Sequence, residues 1–200
     1  TRSDGYKYSN IQALNAAGKV IGTSQRYNGS GTNLGNSAWL YNGSSTVNIG
    51  LTGTEFTRND GYKSSSGFYL NAASQVAGTA RRYNSGGADL GYSAWFYNGS
   101  STTNIGLTDT EHTSNGGYKS SYISSLNAAG KTAGTADRYN GGGYYLGNSV
   151  WLYNGSGTIK IGLTDAEHTR YDDYKNNSFQ SLSSSGQVTG FAERYNGGGQ

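Results

Sequence analysis

The chain repeats one phrase every 56 residues, and this period constrains its fold more than any other feature. The phrase reads TRSDGYK, TRNDGYK, TSNGGYK and TRYDDYK, beginning at Thr1, Thr57, Thr113 and Thr169. So strict a register indicates one supersecondary unit copied in tandem. The copy is therefore the unit of organisation, with three full copies and one partial copy at residues 1–56, 57–112, 113–168 and 169–200.

Composition excludes several classes of protein. The chain has 33 Gly, 18 Tyr and no Pro, but its 13% aromatic content and small net charge of +3 oppose disorder. That charge, spread over similar copies, forms no basic stripe for nucleic acid. Without Cys there is neither a disulfide framework nor a thiolate metal site. No apolar run approaches the roughly 20 residues of a membrane span.

Each copy contains four short stretches that read as β-strands. In the first copy they are Ser9 to Leu14, Lys19 to Tyr27, Ser37 to Tyr41, and the alternating residues Val47, Ile49 and Leu51. A turn ending in Gly18 separates the first two stretches. Because Ser74 replaces this glycine in the second copy, we expect that the turn does not depend on glycine.

Four antiparallel strands in a repeat of this length are typical of β-propeller blades, and a β-solenoid is the alternative. In a propeller, Trp39, Trp95 and Trp151 would pack between neighbouring blades. Three blades and a fraction are too few to close a ring. We therefore expect the array to belong to a larger ring, completed by a second copy or by a longer chain, since open strand edges invite pairing.

The phrases LNAAGKVIGTSQRYNG, SAWLYNGSSTVNIGLTG and DTEHTSNGGYK resemble the HAF-type repeats of bacterial extracellular proteins. The likeness extends to the arrays of secreted surface proteins that bear PEP-CTERM sorting signals, and it covers the whole chain. It implies a propeller-like or other repeated β fold and an extracellular or cell-surface location. It implies no reaction.

A triplet of Arg, Tyr and Asn recurs in every copy and is the main candidate for ligand binding. An Arg beside Tyr and Asn would offer a planar donor and an aromatic platform to a glycan, and repeated weak sites would gain avidity. The alternative is structural: Arg stacks on a neighbouring aromatic or bridges Glu55, Glu111 or Glu167, and Asn begins a turn. The triplets are Arg26-Tyr27-Asn28, Arg82-Tyr83-Asn84, Arg138-Tyr139-Asn140 and Arg194-Tyr195-Asn196.

Two other groups resemble metal or acid–base sites. His112 and His168 each follow a glutamate, near Asp109 and Asp165, but the first copy has Phe56 at the matching position, which favours packing. The acidic turns Asp4-Gly5, Asp60-Gly61 and Asp172-Asp173 could contribute oxygens to calcium. They lack the dense spacing of a calcium loop, so turn formation explains them more simply and no metal or cofactor is expected.

Taken together, the sequence favours a non-enzymatic extracellular repeat protein with a structural, display or self-association role. A multivalent carbohydrate-binding propeller is the alternative, and a propeller hydrolase or lyase is a third. The expected partners are further copies of the chain itself and glycans. An enzyme would need a residue cluster unique to one copy, and no serine nucleophile motif is present.

Overall fold

The computed structural model describes residues 2–195 as an all-β chain, with 48% strand and 5% helix. The predicted all-β class is thus confirmed. The chain divides into two compact units, Thr1–Asn104 and Ile105–Gln200. Over the described residues, no helix has the length and apolar character needed to cross a membrane.

The first unit contains two four-stranded antiparallel sheets, one from each of the first two copies. The third strand of the first copy also runs parallel to the first strand of the second, where Gly35 and Asn36 oppose Lys63 and Ser64. A single-turn 3-10 helix, Thr54–Phe56, lies in the connection. The strands are β1 (Ser9–Leu14), β2 (Val20–Tyr27), β3 (Asn33–Tyr41), β4 (Thr46–Asn48), β5 (Lys63–Leu70), β6 (Val76–Tyr83), β7 (Asp89–Tyr97) and β8 (Thr102–Asn104).

The second unit contains the sheet of the third copy and the hairpin of the fourth. The sheet again has four antiparallel strands in sequence order, and the hairpin pairs two further strands. Two 3-10 helices, Thr110–His112 and Ala166–His168, lie in connections that correspond to that of the first unit. The strands are β9 (Lys119–Leu126), β10 (Thr132–Tyr139), β11 (Tyr145–Tyr153), β12 (Thr158–Ile161), β13 (Asn177–Leu182) and β14 (Val188–Ala192).

The turn between the first two strands of a copy requires a residue with a left-handed backbone conformation, that is a positive φ, at its end. Gly18 has φ 73°, Gly130 has φ 78°, and Ser74 takes the same conformation with φ 64°. The expectation that the turn does not depend on glycine is therefore confirmed, although Ser74 adopts a conformation that side chains disfavour. Asn15 shapes the first such turn, where its Oδ1 accepts the N–H groups of Ala17 and Lys19, each at 3.0 Å.

The core of the first unit forms where the apolar sides of its two copies meet. Trp95, which is fully buried, packs with Ile21 and Ile49 of the preceding copy. Its indole lies over Gly78, where a Cβ would collide with the ring, and Trp151 lies over Gly134 in the same way. Trp95 and Trp151 are therefore packing residues. Trp39 has the same place in the first copy but is only half-buried.

Candidate functional site

The arginine of the recurring triplet lies at a β-bulge in the second strand of each full copy. The strand register shifts between Gln25 and Tyr27, and it shifts at the equivalent places around Arg82 and Arg138. A bulge leaves one residue unpaired and redirects its side chain. Because of the bulge, the arginine side chain does not follow the regular alternation of side chains along the strand. Its guanidinium therefore reaches the connection between copies.

Arg138 shows the fullest set of contacts. Its Nε donates to Glu111 Oε1 at 2.7 Å, and its Nη1 donates to the carbonyl of Leu146 at 2.9 Å and to that of Asp173 at 3.4 Å. The residue is 4% exposed. Because Glu111 belongs to the second copy and Asp173 to the fourth, one guanidinium links three successive copies.

The other arginines repeat parts of this pattern. Arg82 is buried and donates from Nη2 to Glu55 at 2.8 Å. Arg26 donates from Nη1 to the carbonyls of Leu34 and Gly61, at 2.9 and 3.1 Å. The exposed Arg194 pairs with Glu167 at 2.8 Å. The bridges to Glu55, Glu111 and Glu167 are those that the structural interpretation of the triplet predicts.

The tyrosine of each triplet packs edge-to-face against the tyrosine of the phrase that opens its copy. Ring centroids lie 6.1–6.3 Å apart in the four pairs. Such T-shaped pairs are a favourable arrangement of aromatic rings. Burial raises the pKa of Tyr83 to about 12. The pairs are Tyr6–Tyr27, Tyr62–Tyr83, Tyr118–Tyr139 and Tyr174–Tyr195.

The asparagine of the triplet closes the loop between the second and third strands. Asn28 Oδ1 accepts the N–H groups of Ser30 and Thr32, at 3.1 and 2.8 Å. Asn84 and Asn140 accept equivalent backbone donors. Asn196 lies outside the described residues. The geometry thus gives Arg, Tyr and Asn structural tasks, and ligand binding by the triplet stays a prediction.

Among the glutamates that pair with the triplet arginines, Glu111 has the most strongly shifted pKa. Its burial would raise its pKa, but hydrogen bonds from Lys160 and Arg138 outweigh that effect and lower the pKa to about 2. Lys160 and Arg138 contact opposite oxygens of the carboxylate. Glu111 is therefore charged over the whole physiological range and holds two cations at the junction between copies.

His112 forms a hydrogen-bonded series that the sequence did not reveal. Its Nδ1 lies 2.6 Å from Asp109 Oδ1, and its Nε2 lies 2.9 Å from Ser149 Oγ. The order of groups is that of a hydrolase triad, but His112 is fully buried and Ser149 is 3% exposed. A substrate has no access to this hydroxyl, so the series fixes the connection against β11.

The same connection holds the one group of potential metal ligands found in the described part of the chain. Ligand atoms of Asp109, Glu111 and His112 lie within 4.8 Å of one another. Both nitrogens of His112 are engaged by Asp109 and Ser149, and Glu111 is engaged by two cations. Packing explains His112 as it explains Phe56, which is 5% exposed at the matching position.

The carboxylates of the acidic turns considered for calcium binding are engaged by residues next to them in sequence. Asp4, Asp60 and Asp172 pair with the arginines two residues before them, and each accepts a backbone N–H from the tyrosine two residues later. The arginine hydrogen bond lowers the pKa of each carboxyl to about 2. These are turn-forming contacts, and calcium remains only the alternative interpretation of these turns.

A groove of about 450 Å³ lies in the first unit, beside the triplet of the second copy. It runs between the 3-10 connection and the loop after β6. Hydroxyl, amide and carboxylate groups of the kinds that bind sugar hydroxyls line it, together with one tyrosine. The lining residues are Thr54, Glu55, Thr57, Asn59, Tyr83, Asn84 and Ser85.

Comparisons with known proteins give limited likenesses. No protein-family model matches the sequence, and no curated protein matches it. Among solved structures, a fucose lectin from Kordia zhangzhouensis in complex with methyl-fucoside is 13% identical; the match covers 79% of this chain and all of that one, with a TM-score of 0.39. A glycoside hydrolase is 9% identical over 88% of this chain and 62% of that one, with a TM-score of 0.33. Both scores are too low to support a functional conclusion.

Proposed function

We propose that the chain is a non-enzymatic extracellular repeat protein whose copies act as propeller blades and associate with further copies. The recurring triplet supports this proposal, because its arginines join copy to copy. The asparagines of the strand turns add a second link, since Asn15 donates to the Asn71 carbonyl at 3.0 Å. The extracellular location rests on the composition and on the resemblance of the sequence.

The single observation that carries the proposal is the contrast between Trp39 and Trp95. The two residues occupy the same position of neighbouring copies, yet Trp95 is sealed against the preceding copy and Trp39 is half-buried. Nearby on β1, Ile11 and Leu14 expose 68% and 67% of their surfaces. Exposed apolar side chains grouped on one strand are typical of an interaction surface. Since a copy of the same repeat covers Trp95, we infer that a further copy of the repeat covers Trp39 in the same way.

This association predicts a concentration-dependent mass in solution. We expect light scattering to give twice the 21.1 kDa chain mass at high concentration. Trp39→Gln should return the protein to the monomer mass, because a polar side chain weakens an apolar contact. Tyr144→Ser, which changes an aromatic residue that is 74% exposed, should leave the mass unchanged. A monomer at every concentration would count against the proposal.

Carbohydrate binding is the second candidate, and the groove beside Asn84 favours it because hydroxyl, amide and carboxylate side chains line it. Most of its lining recurs 56 residues later, at Thr110, Glu111, Thr113, Tyr139 and Asn140. The chain thus carries two such sets of groups in successive copies, which suits weak binding strengthened by avidity.

Binding to immobilised glycans tests this candidate. If the groove binds glycans, Ser85→Trp should fill it and lower the apparent affinity about tenfold or more through lost avidity. Ala73→Trp places the same ring on an exposed turn away from the groove and should leave binding intact. Absence of binding to a broad glycan array, or equal binding by both variants, would exclude the groove as a sugar site.

A further inference from the structure

The turn between the third and fourth strands carries the same three residues, Asn-Gly-Ser, in every full copy. These NGS turns are residues 42–44, 98–100 and 154–156, and their asparagines are exposed. Asn-x-Ser, with x other than Pro, is the acceptor motif for attachment of a glycan to the asparagine amide. Because three residues also recur by chance, the accessibility of the amide nitrogen decides whether such a motif can act.

Backbone contacts fix the asparagine side chain of each NGS turn. Asn98 Oδ1 accepts the N–H groups of Ser100 and Ser101, both at 2.9 Å, and Gly99 supplies a positive φ of 106°. The asparagine is therefore held in one orientation at the tip of its hairpin. The same contacts close the turns at Asn42 and Asn154.

This arrangement leaves the amide nitrogen of the asparagine unused. Since the two backbone groups that contact the carboxamide of Asn98 are N–H donors, the atom that accepts them is the oxygen. Nδ2 lies on the other side of the carboxamide, and among the described residues it donates to no acceptor. An exposed amide nitrogen without a protein partner is open to a glycosyltransferase.

The serine hydroxyl of the NGS turn adds a contact that turn closure does not need. Ser100 Oγ donates to Asn98 Oδ1 at 2.9 Å, and the other two NGS turns make the same contact. In the loop after β10, Asn140 Oδ1 accepts the N–H of Gly142 at 2.9 Å, so an asparagine turn also closes without a hydroxyl. Turn formation explains the asparagine and the glycine of the motif but not its serine.

We propose that Asn42, Asn98 and Asn154 are acceptors of N-linked glycans, so that each full copy displays a sugar at the turn between its third and fourth strands. In the transfer, a bond forms between Nδ2 and the anomeric carbon of a diphosphate-activated sugar. The bond from this carbon to the phosphate oxygen breaks, its electron pair leaves with the diphosphate, and the displaced amide proton passes to a base of the transferase. This inference rests on the proposed extracellular location, because such motifs are used on surface loops of secreted proteins.

Two further Asn-x-Ser motifs differ from each other in the use of their amide nitrogen. Asn28 is exposed, and its Oδ1 accepts Ser30 Oγ at 2.7 Å and the N–H groups of Ser30 and Thr32, as in the NGS turns. We expect Asn28 to be a fourth acceptor. Asn176 is half-buried and its Nδ2 donates to Glu193 Oε1 at 2.6 Å, so it should stay unmodified.

Incubation of the folded full chain with two kinds of activated sugar tests the proposal. One reaction contains a soluble asparagine N-glucosyltransferase and UDP-glucose, and the other contains a membrane oligosaccharyltransferase and an oligosaccharide linked to a lipid diphosphate. Peptide mapping by mass spectrometry should find sugar in at least one reaction, which identifies the donor. The expected sites are Asn28, Asn42, Asn98 and Asn154, without Asn176.

A synthetic peptide of residues 95–104 is the control for transferase activity. Absence of sugar from all three NGS turns of the folded chain would overturn the proposal, and the peptide would then show whether the fold or the sequence prevents transfer. A folded chain whose main site is Asn176 would overturn it as well, since a free amide nitrogen would not be the deciding feature.

Variants separate the motif from simple exposure of the asparagine. Ser100→Ala keeps the backbone contacts of Asn98 but should lose the sugar there, whereas Ser100→Thr should retain it. Gly142→Ser adds a hydroxyl to the loop after β10 and should create a new acceptor at Asn140, whose Oδ1 is already held. Equal modification of Asn98 in the unchanged chain and in Ser100→Ala would contradict the assignment.

This proposal and the proposed association fail in different ways. Sugar on the NGS turns of a chain that stays monomeric in light scattering refutes the association alone. A chain that dimerises but takes up no sugar at these turns refutes the acceptor sites alone.

Discussion

Gly134→Ala is expected to lower the free energy of unfolding by about 3 kcal/mol or more. A Cβ at this position would collide with the backbone carbonyl of Tyr122 and with the indole of Trp151. Neither neighbour is free to move, because the carbonyl belongs to the paired strand β9 and the indole is fully buried. Urea unfolding followed by tryptophan fluorescence measures the loss.

Gly141→Ala is the matched control for this change. Gly141 lies seven positions later, and a Cβ there meets nothing within 4 Å. Its backbone also has no left-handed requirement. The control should therefore change the free energy of unfolding by less than about 0.5 kcal/mol. Equal stability of the two variants would show that the tryptophan does not lie against Gly134.

Arg138→Ala should destabilise the protein by about 3 kcal/mol, because it removes a buried charged donor that bonds a carboxylate and two carbonyls. Arg138→Lys keeps the charge but not the planar set of donors, and should recover only part of the loss. The measurement is again the free energy of unfolding in urea.

Arg194→Ala provides the control at the same repeat position. Its side chain is 71% exposed and that of its partner Glu167 is 67% exposed, so the pair should contribute less than about 1 kcal/mol. A loss as large for Arg194→Ala as for Arg138→Ala would show that burial of the guanidinium is not the source of the effect.

Acid titration adds a second readout of the same network. The pKa of Glu111 is about 2 in the folded chain, below its ordinary value of 4.5. The carboxylate therefore stabilises the fold above pH 4.5, and this contribution is lost as the pH falls towards 2. Arg138→Ala should make that loss smaller, because it removes one of the two cations. An unchanged acid dependence would contradict the coupling between Arg138 and Glu111.

Local features of the fold were predictable from the sequence. The first predicted strand coincides with β1, and the second differs from β2 by a single residue at its start. Alternation of side chains and turn chemistry are short-range signals, so they can be read without knowledge of the tertiary structure. The repeat then extends the same prediction to every copy.

The candidate site was less predictable because its contacts join residues far apart in sequence. The β-bulge that redirects Arg138 leaves no mark in the alternation of neighbouring residues. Its partners lie 8, 27 and 35 residues away, although the bridge to Glu111 was one of the alternatives. His112 and Ser149 are 37 residues apart, and no spacing rule links them.

The different exposures of Trp39 and Trp95 could not be predicted from the local sequence. Trp39 stands in SAWLYN and Trp95 in SAWFYN, so their immediate sequences are nearly the same. Their exposures differ because a preceding copy covers the second ring only. What a neighbouring copy buries is a property of the array and not of the motif.

The contacts that the triplet arginines make with neighbouring copies restrict how the gene can change length. Each guanidinium reaches only the copies beside its own, at offsets fixed by the period. Unequal recombination that inserts or deletes a whole multiple of 56 residues preserves every such offset, whereas any other insertion between copies separates an arginine from its partners. We therefore expect related arrays to differ in the number of copies while each copy keeps the same length.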